Sequence, residues 1–582
     1  MDADWRIYSK RADFNAIANR FNIDPVVARV IRNRDVESEE EIERFLYGTL
    51  DDCHDGNLMK DMDKGVSIIS EKIDAGESIR IVGDYDVDGV TSTYILYDAI
   101  RCLGGKVSYD IPHRITDGYG INVRIIEQAA SDEVDTIITC DNGIAAFDAV
   151  TRAKELGLTI VVTDHHEIQE MIPDADAVID PHQEGDAYPY KAICGAEVAY
   201  KFIRCLYKYR GQELEDRKYI DFVALATYCD VMPLLDENRI YVREGMKKIA
   251  ETDNLGLAAL VRQCSLEGAS ITGYHLGFVL GPCINTAGRI GSAKEALLLF
   301  LEEDEAACAS KALALKIGND DRKRITEEGT ALAIETVLRE GYDKDQVIVL
   351  YLNGVHESLA GIIAGKIKEH FYRPTIVFTD SENEELLKGS GRSIEDYNLF
   401  EKLSEVKDIL YKFGGHKLAA GLTIQRDELD KLREELNNRA DLNEQQLTPK
   451  LMIDVPMPLR YVNMGLIAQL DSLEPFGTAN PRPLFAEAGL KVNGLYIYGK
   501  RGNVMNISVT DSRGGRFMVM TFDPEGVIED IKKWFTEEVC DKMLKGAYTG
   551  VMLDIAYQPQ INEYRGERNI QFLLKNMRPH TA

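Results

Sequence analysis

Along this chain the spacing of apolar residues changes rhythm several times. Between residues 61 and 240, the short apolar runs "IRIVG", "KVSYDI", "VDTIITC" and "LTIVVTD" alternate with stretches whose apolar positions recur every three to four residues. Strands buried on both faces read as continuous β-branched runs, and the helices that cross between them read with helical period. The alternation therefore predicts an α/β domain built on a parallel sheet. Residues 241–340 are rich in Ala, Leu, Lys and Glu, and "EDEAACASKALALKIGNDDRKRITEEGTALAIETVLRE" predicts one or two connecting helices, a helical linker. "QVIVLYL" and "PTIVF", separated by the helical "SLAGIIAGKIKEHF", predict a second, smaller α/β domain over 341–445. From 446 to 582 the runs "LKVNGLYIYG", "VMNISVTD", "GRFMVMTF", "GVMLDIAYQ" and "RNIQFLLKNM" are joined by turns, the pattern of a small β-barrel. Residues 1–60, including "ESEEEIERFL", predict short amphipathic helices without a cluster of catalytic residue types, a packing extension.

Composition narrows the class. A chain of 582 residues is too long for one core, and 45% hydrophobic with 28% charged residues is the mix of a soluble globular protein. No apolar run approaches the roughly 20 residues of a membrane span, and "MDADWRIYSK" carries acids where a signal peptide carries basic residues. A cytoplasmic protein with no membrane partner is expected. Ten cysteines, none in a CxxC pair, indicate neither a disulfide framework nor a thiolate zinc site. The formal charge of −29 argues against wrapping duplex DNA non-specifically, because phosphate contacts come from Lys and Arg. Residues 450–582, however, hold 16 Lys and Arg against 15 Asp and Glu, so the acid excess lies upstream. That distribution permits a narrow basic groove feeding a metal site.

The chemistry concentrates at strand ends. In "IRIVGDYDVDGVTSTYIL", Asp84, Asp86 and Asp88 occupy every second position where a buried strand stops. Such charges repel by about 1 kcal/mol per pair in water and several-fold more at lower dielectric, so something positive belongs among them. The next strand finishes in Cys140, Asp141, Asn142, Gly143, the one after in Asp164, His165, His166, Glu167, and Asp230 follows in "ATYCDVMPL". In open α/β sheets, ligands bind beyond the carboxyl ends of the strands. Carboxylates with one or two imidazoles and no thiolate suit Mg or Mn. A lone DxD is more often an Asx-turn or helix cap. Joint occurrence at three successive strand ends favours two divalent cations.

"DYDVDG", "CDNGI", "TDHHE" and "YCDVMPL" resemble the four ordered motifs of the DHH phosphoesterase superfamily. "GPCINTAGR", "GSGRS", "FGGHKLAAGL" and "PFGTANPRPLF" narrow the resemblance to the RecJ single-strand-specific exonucleases, over nearly the whole chain. The resemblance implies an N-terminal helical extension (1–60), a DHH metal-binding catalytic domain (61–240), a helical linker (241–340), a DHHA1 domain (341–445) and an oligonucleotide-binding (OB) barrel (446–582). It implies a 5′-to-3′ exonuclease of DNA repair and recombination, using two Mn or Mg ions to release 5′-mononucleotides from single-stranded DNA. Asp86, Asp88, Asp141, His165 and Asp230 are then expected as metal ligands, with Asp84 a further one, Asp141 or Asp88 as bridge and His166 facing the scissile phosphate. Arg114, Arg289, Ser390, Arg392 and His416 are expected at the substrate and its 5′-phosphate. Single-stranded DNA, a single-strand-binding protein and a helicase are the implied partners of a monomer.

Two positions depart from the pattern. Related pyrophosphatases carry a histidine where this chain has Val82, which leaves Asp84 as the substitute, and Cys283 stands where the family usually has Arg. Two other readings compete. A DHH-DHHA1 phosphodiesterase of short oligoribonucleotides or cyclic dinucleotides would lack a barrel of this kind, and a non-catalytic Cdc45-like scaffold would have lost acids that are all present here.

Overall fold

A computed structural model describes residues 3–581 other than 114–117, 119, 170, 291, 382, 500, 501, 548 and 565, and of Arg289, Ile290 and Tyr564 it describes the backbone alone. The chain forms two units, one of Val36–Arg322 with Leu473–Pro481, the other of Met1–Asp35, Lys323–Ser472 and Arg482–Ala582.

The first unit is built on five parallel strands in the order Lys106–Asp110, Ser78–Val82, Thr136–Cys140, Thr159–Thr163, Ala177–Ile179. Successive side chains of a strand point to opposite faces. Ile79, Ile81, Ile138 and Val161 accordingly pack into one core with the helix Val87–Cys102, and Val82, Ile137 and Ile160 into another with the helices Val123–Ser131 and Phe147–Glu155. Every residue of Thr136–Cys140 is buried, which explains its uninterrupted apolar and Thr sequence.

The start of this unit is fixed by a capping box on the helix Glu39–Tyr47: Glu41 N–H donates to Ser38 Oγ (3.1 Å) and Ser38 N–H to Glu41 Oε2 (2.9 Å). Arg239, 1% exposed, ties distant segments together. Its Nε donates to Phe45 O (2.8 Å), its Nη1 to Leu473 O (2.6 Å), and its guanidinium lies 4.1 Å from the Phe45 ring centre. Burial pushes its pKa down to about 9. Leu473–Pro481 is held again where Leu234 N–H donates to Thr478 O (2.9 Å) and Tyr228 OH to Phe476 O (3.0 Å).

The second unit contains a mixed sheet in the order Leu410–His416, Ala419–Gln425, Leu386–Arg392, Thr375–Asp380, Ile348–Tyr351, in which only the last pair is parallel. It also contains a barrel: Phe485–Tyr498, Val504–Thr510, Arg516–Thr521, Glu567–Pro579 and Met552–Tyr564 follow in ring order, and the last pairs back on the first. Two helices, Pro524–Trp534 and Glu537–Leu544, lie in the chain between the strands Arg516–Thr521 and Met552–Tyr564.

The structure differs from the sequence expectation in two places. Asp4–Ile7 is a strand, parallel to Lys450–Ile453, because Trp5 anchors it: its Nε1 donates to Asn576 Oδ1 (3.0 Å) and its ring lies 4.6 Å from the Arg578 guanidinium. The linker is more divided than expected, with Leu255–Gln263, Gly281–Ile290 and Lys294–Phe300 preceding the unbroken helix Glu305–Glu340. Among the described residues, no helix is long and apolar enough to cross a membrane.

Candidate active site

Asp86 caps the helix Val87–Cys102 by accepting from Gly89 N–H (3.1 Å). Asp88, in the first turn, accepts at Oδ2 from Gly195 N–H and at Oδ1 from Ala196 N–H, both at 2.7 Å. These are the first two donors of the helix Gly195–Tyr209, whose positive end favours a carboxylate. Only glycine fits at 195, since a Cβ would lie 2.7 Å from Asp141 Cβ and 3.1 Å from Asp88 Oδ2. Asp141 follows its strand with φ of 59°, a conformation that Asp and Asn tolerate better than other non-glycine residues. Asn142 secures the strand ends, donating to Val82 O (3.1 Å) and Cys140 O (2.8 Å) and accepting from Ile121 N–H (3.0 Å).

His165 sits amid the acids. Its Nε2 lies 3.1 Å from Asp141 Oδ1, 3.5 Å from Asp88 Oδ2 and 3.8 Å from Asp230 Oδ2. Three overlapping groups bring potential ligand atoms within 4.8 Å of one another: Asp84, Asp86 and Asp141; Asp88, His165 and Asp230; and Asp141, His165 and His166. All six expected ligands therefore converge. His166 lies within ligand reach too, although the sequence expectation turned it toward substrate.

Burial, then the neighbouring acids Asp88, Asp86, Asp84 and Asp230, hold the Asp141 carboxyl well above the usual carboxylate range. Burial and Asp88 raise Asp86, while burial, Asp88 and Asp86 push Asp230 up to about 8. This donor set fits divalent cations: hard oxygen ligands and imidazole crowd together at a cost that positive charge offsets.

His166 behaves differently. Its Nδ1 lies 2.7 Å from Asp164 Oδ1. Burial opposes its charge, but the hydrogen bond and charge of Asp164 prevail and raise it to about 9. Asp164, buried itself, also accepts from Ile144 N–H (2.9 Å) and His165 N–H (2.8 Å). Burial works against its ionisation, yet the His166 hydrogen bond leads the interactions that hold it below the usual range.

The other expected residues belong to the second unit or lie outside the description. Arg114 and the Arg289 side chain are outside the described residues. Ser390 and Arg392 share a strand, with Arg392 Nη1 3.2 Å from Ser390 Oγ. The helix Glu357–Phe371 passes so closely that a Cβ on Gly361 would be 2.8 Å from both Arg392 Nη2 and Ser390 Oγ. His416 is exposed, and the register His416–Ala419–Arg392 sets it two strands away at the same level.

Several contributors escaped the sequence reading. Asp164 orients His166, and its place in the same strand end was a usable signal. Gly195 and Ala196 hold Asp88, yet "CGAEVAYKF" reads only as a buried helix start. Asn285 Oδ1 accepts from Val87 N–H (3.2 Å), between two expected ligands, and nothing local in the sequence indicated that reach.

Comparison with known proteins accords with this geometry. Residues 78–227 match the DHH family, N-terminal domain, 344–441 the DHHA1 domain and 453–576 the RecJ OB domain. The chain is 35% identical over 482 residues to the single-stranded-DNA-specific exonuclease RecJ of Bacillus subtilis (strain 168), covering 82% of this chain and 61% of that one's length. It is 30% identical over 580 residues to the protein of the same description from Escherichia coli (strain K12), covering 96% of each. Among solved structures, RecJ in complex with Mn2+ from Thermus thermophilus superposes with a TM-score of 0.81 at 24% identity, over 100% of this chain and 80% of that one.

Proposed function

This chain belongs to the RecJ family of single-stranded-DNA-specific exonucleases, and from that premise we propose that it removes 5′-mononucleotides from the 5′ end of single-stranded DNA. The observation that carries the reading is the convergence of Asp84, Asp86, Asp88, Asp141 and His165, which follow adjoining strands, with Asp230 at the C-terminal end of the helix Ile220–Cys229.

Asp86, Asp88, Asp141, His165, Asp230 and Asp84 would hold two Mn or Mg ions. Asp141 would help to hold both, because its carboxylate belongs to the Asp84–Asp86 group and to the His165 group. When bound, the ions supply Lewis acidity, which offsets phosphodiester charge and strengthens water as a nucleophile. Asp88 cannot swing away, because two backbone donors fix its oxygens. Asp164 engages Nδ1 of His166, and this hydrogen bond and the Asp164 charge favour the protonated ring. Nε2–H of His166 is then the atom that donates to a phosphate oxygen or to the leaving oxyanion.

For the 5′-phosphate we assign Ser390 and Arg392, with Arg114, Arg289 and His416. A guanidinium beside a hydroxyl, against the glycine-bearing helix Glu357–Phe371, supports anion recognition. The barrel offers a stacking and backbone-tracking platform for longer strands. On this reading residues 1–60 are an extension, 61–240 catalytic, 241–340 a linker, 341–445 the end-recognition domain and 446–582 the strand-binding domain. The enzyme would work as a cytoplasmic monomer beside a single-strand-binding protein and a helicase.

The test is to incubate end-labelled single-stranded DNA, duplex DNA, RNA and cyclic dinucleotides in parallel with each metal. Mononucleotides leaving the 5′ end of single-stranded DNA are expected. Preference for cyclic dinucleotides would instead make it a small-substrate phosphodiesterase, and inactivity with both metals a scaffold.

A further inference from the structure

We propose that Cys264 and Cys283 form a reversible redox pair, joined as a disulfide under oxidation, that controls the geometry of the metal-ligand loop. All ten cysteines are thiols in this structure. The sulfurs of Cys264 and Cys283 lie 3.9 Å apart, in van der Waals contact, although 19 residues separate them in sequence. Cys283 is fully buried inside the helix Gly281–Ile290, whereas Cys264 is half-buried at the C-terminal end of Leu255–Gln263 and is followed by Ser265 with φ of 58°. Cys264 thus occupies a helix end and turn, where a side chain moves at least backbone cost, and Cys283 is held within a helix.

The surroundings favour thiol chemistry. Lys316, paired with Asp320, interacts electrostatically with both sulfurs and Arg322 with Cys283, while Asn319 Nδ2 donates to Cys283 Sγ (3.4 Å), which itself donates to Val279 O (3.2 Å). Nearby cations stabilise thiolate, the reactive form. With hydrogen peroxide as oxidant, the Cys264 thiolate attacks one peroxide oxygen, the O–O bond breaks, and a sulfenic acid and one water result. The Cys283 sulfur then displaces the sulfenic hydroxyl as a second water, so that two S–H protons and two electrons are lost for one S–S bond. In a reducing compartment such a bond is transient, which suits a sensor rather than a staple.

The consequence for the site follows from what else the Cys283 helix carries. Asn285 Oδ1 accepts from Val87 N–H, between Asp86 and Asp88, and Gly288 packs so tightly that a Cβ would lie 2.4 Å from Tyr85 O. Closing the sulfurs from 3.9 Å to the roughly 2.05 Å of a disulfide pulls on this helix, and through Asn285 and Gly288 on the turn and helix start bearing Asp84, Asp86 and Asp88. A close-packed interior transmits such a shift rather than absorbing it.

The experiment treats the full chain with hydrogen peroxide, maps disulfides by mass spectrometry of non-reduced peptides, and follows single-strand cleavage before and after dithiothreitol. A Cys264–Cys283 link, loss of most activity and its recovery on reduction are expected. Cys264→Ser and Cys264→Ala should keep the starting activity and retain it through oxidation. The proposal is overturned if no such link forms at peroxide levels that oxidise exposed Cys102, if the link forms without loss of activity, or if both Cys264 variants are inactivated like the parent. Because peptide mapping needs no turnover, it decides the thiol chemistry even where the nuclease reading fails.

Discussion

Nε2 of His165 and Oδ1 of Asp141 approach to 3.1 Å, and both side chains are buried at the ends of neighbouring parallel strands. That contact links the Asp84–Asp86–Asp141 group to the Asp88–His165–Asp230 group, so on the proposed assignment removing either partner should impair metal binding. Asp141→Asn is the informative substitution, because Asn adopts the left-handed conformation of this position with little strain. We expect it to abolish cleavage of single-stranded DNA while leaving the metal-free melting temperature unchanged or higher, since a buried carboxylate crowded by four others is gone. Near-normal rates with saturating metal would refute the ligand assignment.

End recognition is tested at Arg392. A charge-assisted hydrogen bond contributes roughly 1.5–3 kcal/mol, or about 10- to 150-fold at 1.4 kcal/mol per decade. Arg392→Ala should erase a preference of that size for 5′-phosphorylated over 5′-hydroxyl strands, measured as the ratio of initial rates, and leave metal binding by calorimetry intact.

Stability of the second unit rests in part on a buried ion pair. Arg34 Nη1 and Nη2 donate to Asp454 Oδ1 (2.6 Å) and Oδ2 (3.1 Å), and neither side chain is more than 3% exposed. Breaking such a pair strands a charge in the interior. Asp454→Ala should therefore cost about 3–5 kcal/mol in denaturant unfolding.

A pH dependence follows from Asp236. Burial works against its charge, but His54 at 2.8 Å and Arg44 at 2.7 Å outweigh it and hold the carboxyl below its ordinary range. A carboxyl depressed in the folded state contributes stability above its unfolded pKa, and that contribution disappears as pH falls through the folded value. Asp236→Asn should lower stability at neutral pH by about 1–2 kcal/mol, between the values for exposed and buried pairs. It should also flatten the loss of stability in acid, as thermal melts across the acidic range will report.

The periodicity of the chain foretold the parallel sheet and the barrel because burial on one or two faces writes itself into local spacing. The clustering of the acids with His165 was legible for a related reason: strand ends bring distant acids together, and "DYDVDG" and "TDHHE" sit at such ends. What stayed hidden depends on packing between segments far apart in sequence. Asn285 reaching Val87, Gly195 yielding space to Asp88, and Trp5 drawing Asp4–Ile7 into a strand have no local signature. Leu473–Pro481 is the clearest instance, since its neighbours in sequence belong to one unit and its own hydrogen bonds to the other.

That segment limits how the protein can be recombined. The chain passes between the two units four times, at residues 35/36, 322/323, 472/473 and 481/482. A chimera that exchanged everything from residue 453, where the family resemblance of the barrel begins, would carry away Leu473, Phe476 and Thr478, and with them backbone partners of Arg239, Tyr228 and Leu234. The remaining half would keep Arg239 in its interior with one of its backbone acceptors, Leu473 O, removed. A workable graft has to leave this nine-residue loop behind, so the exchangeable module and the inherited one have different boundaries.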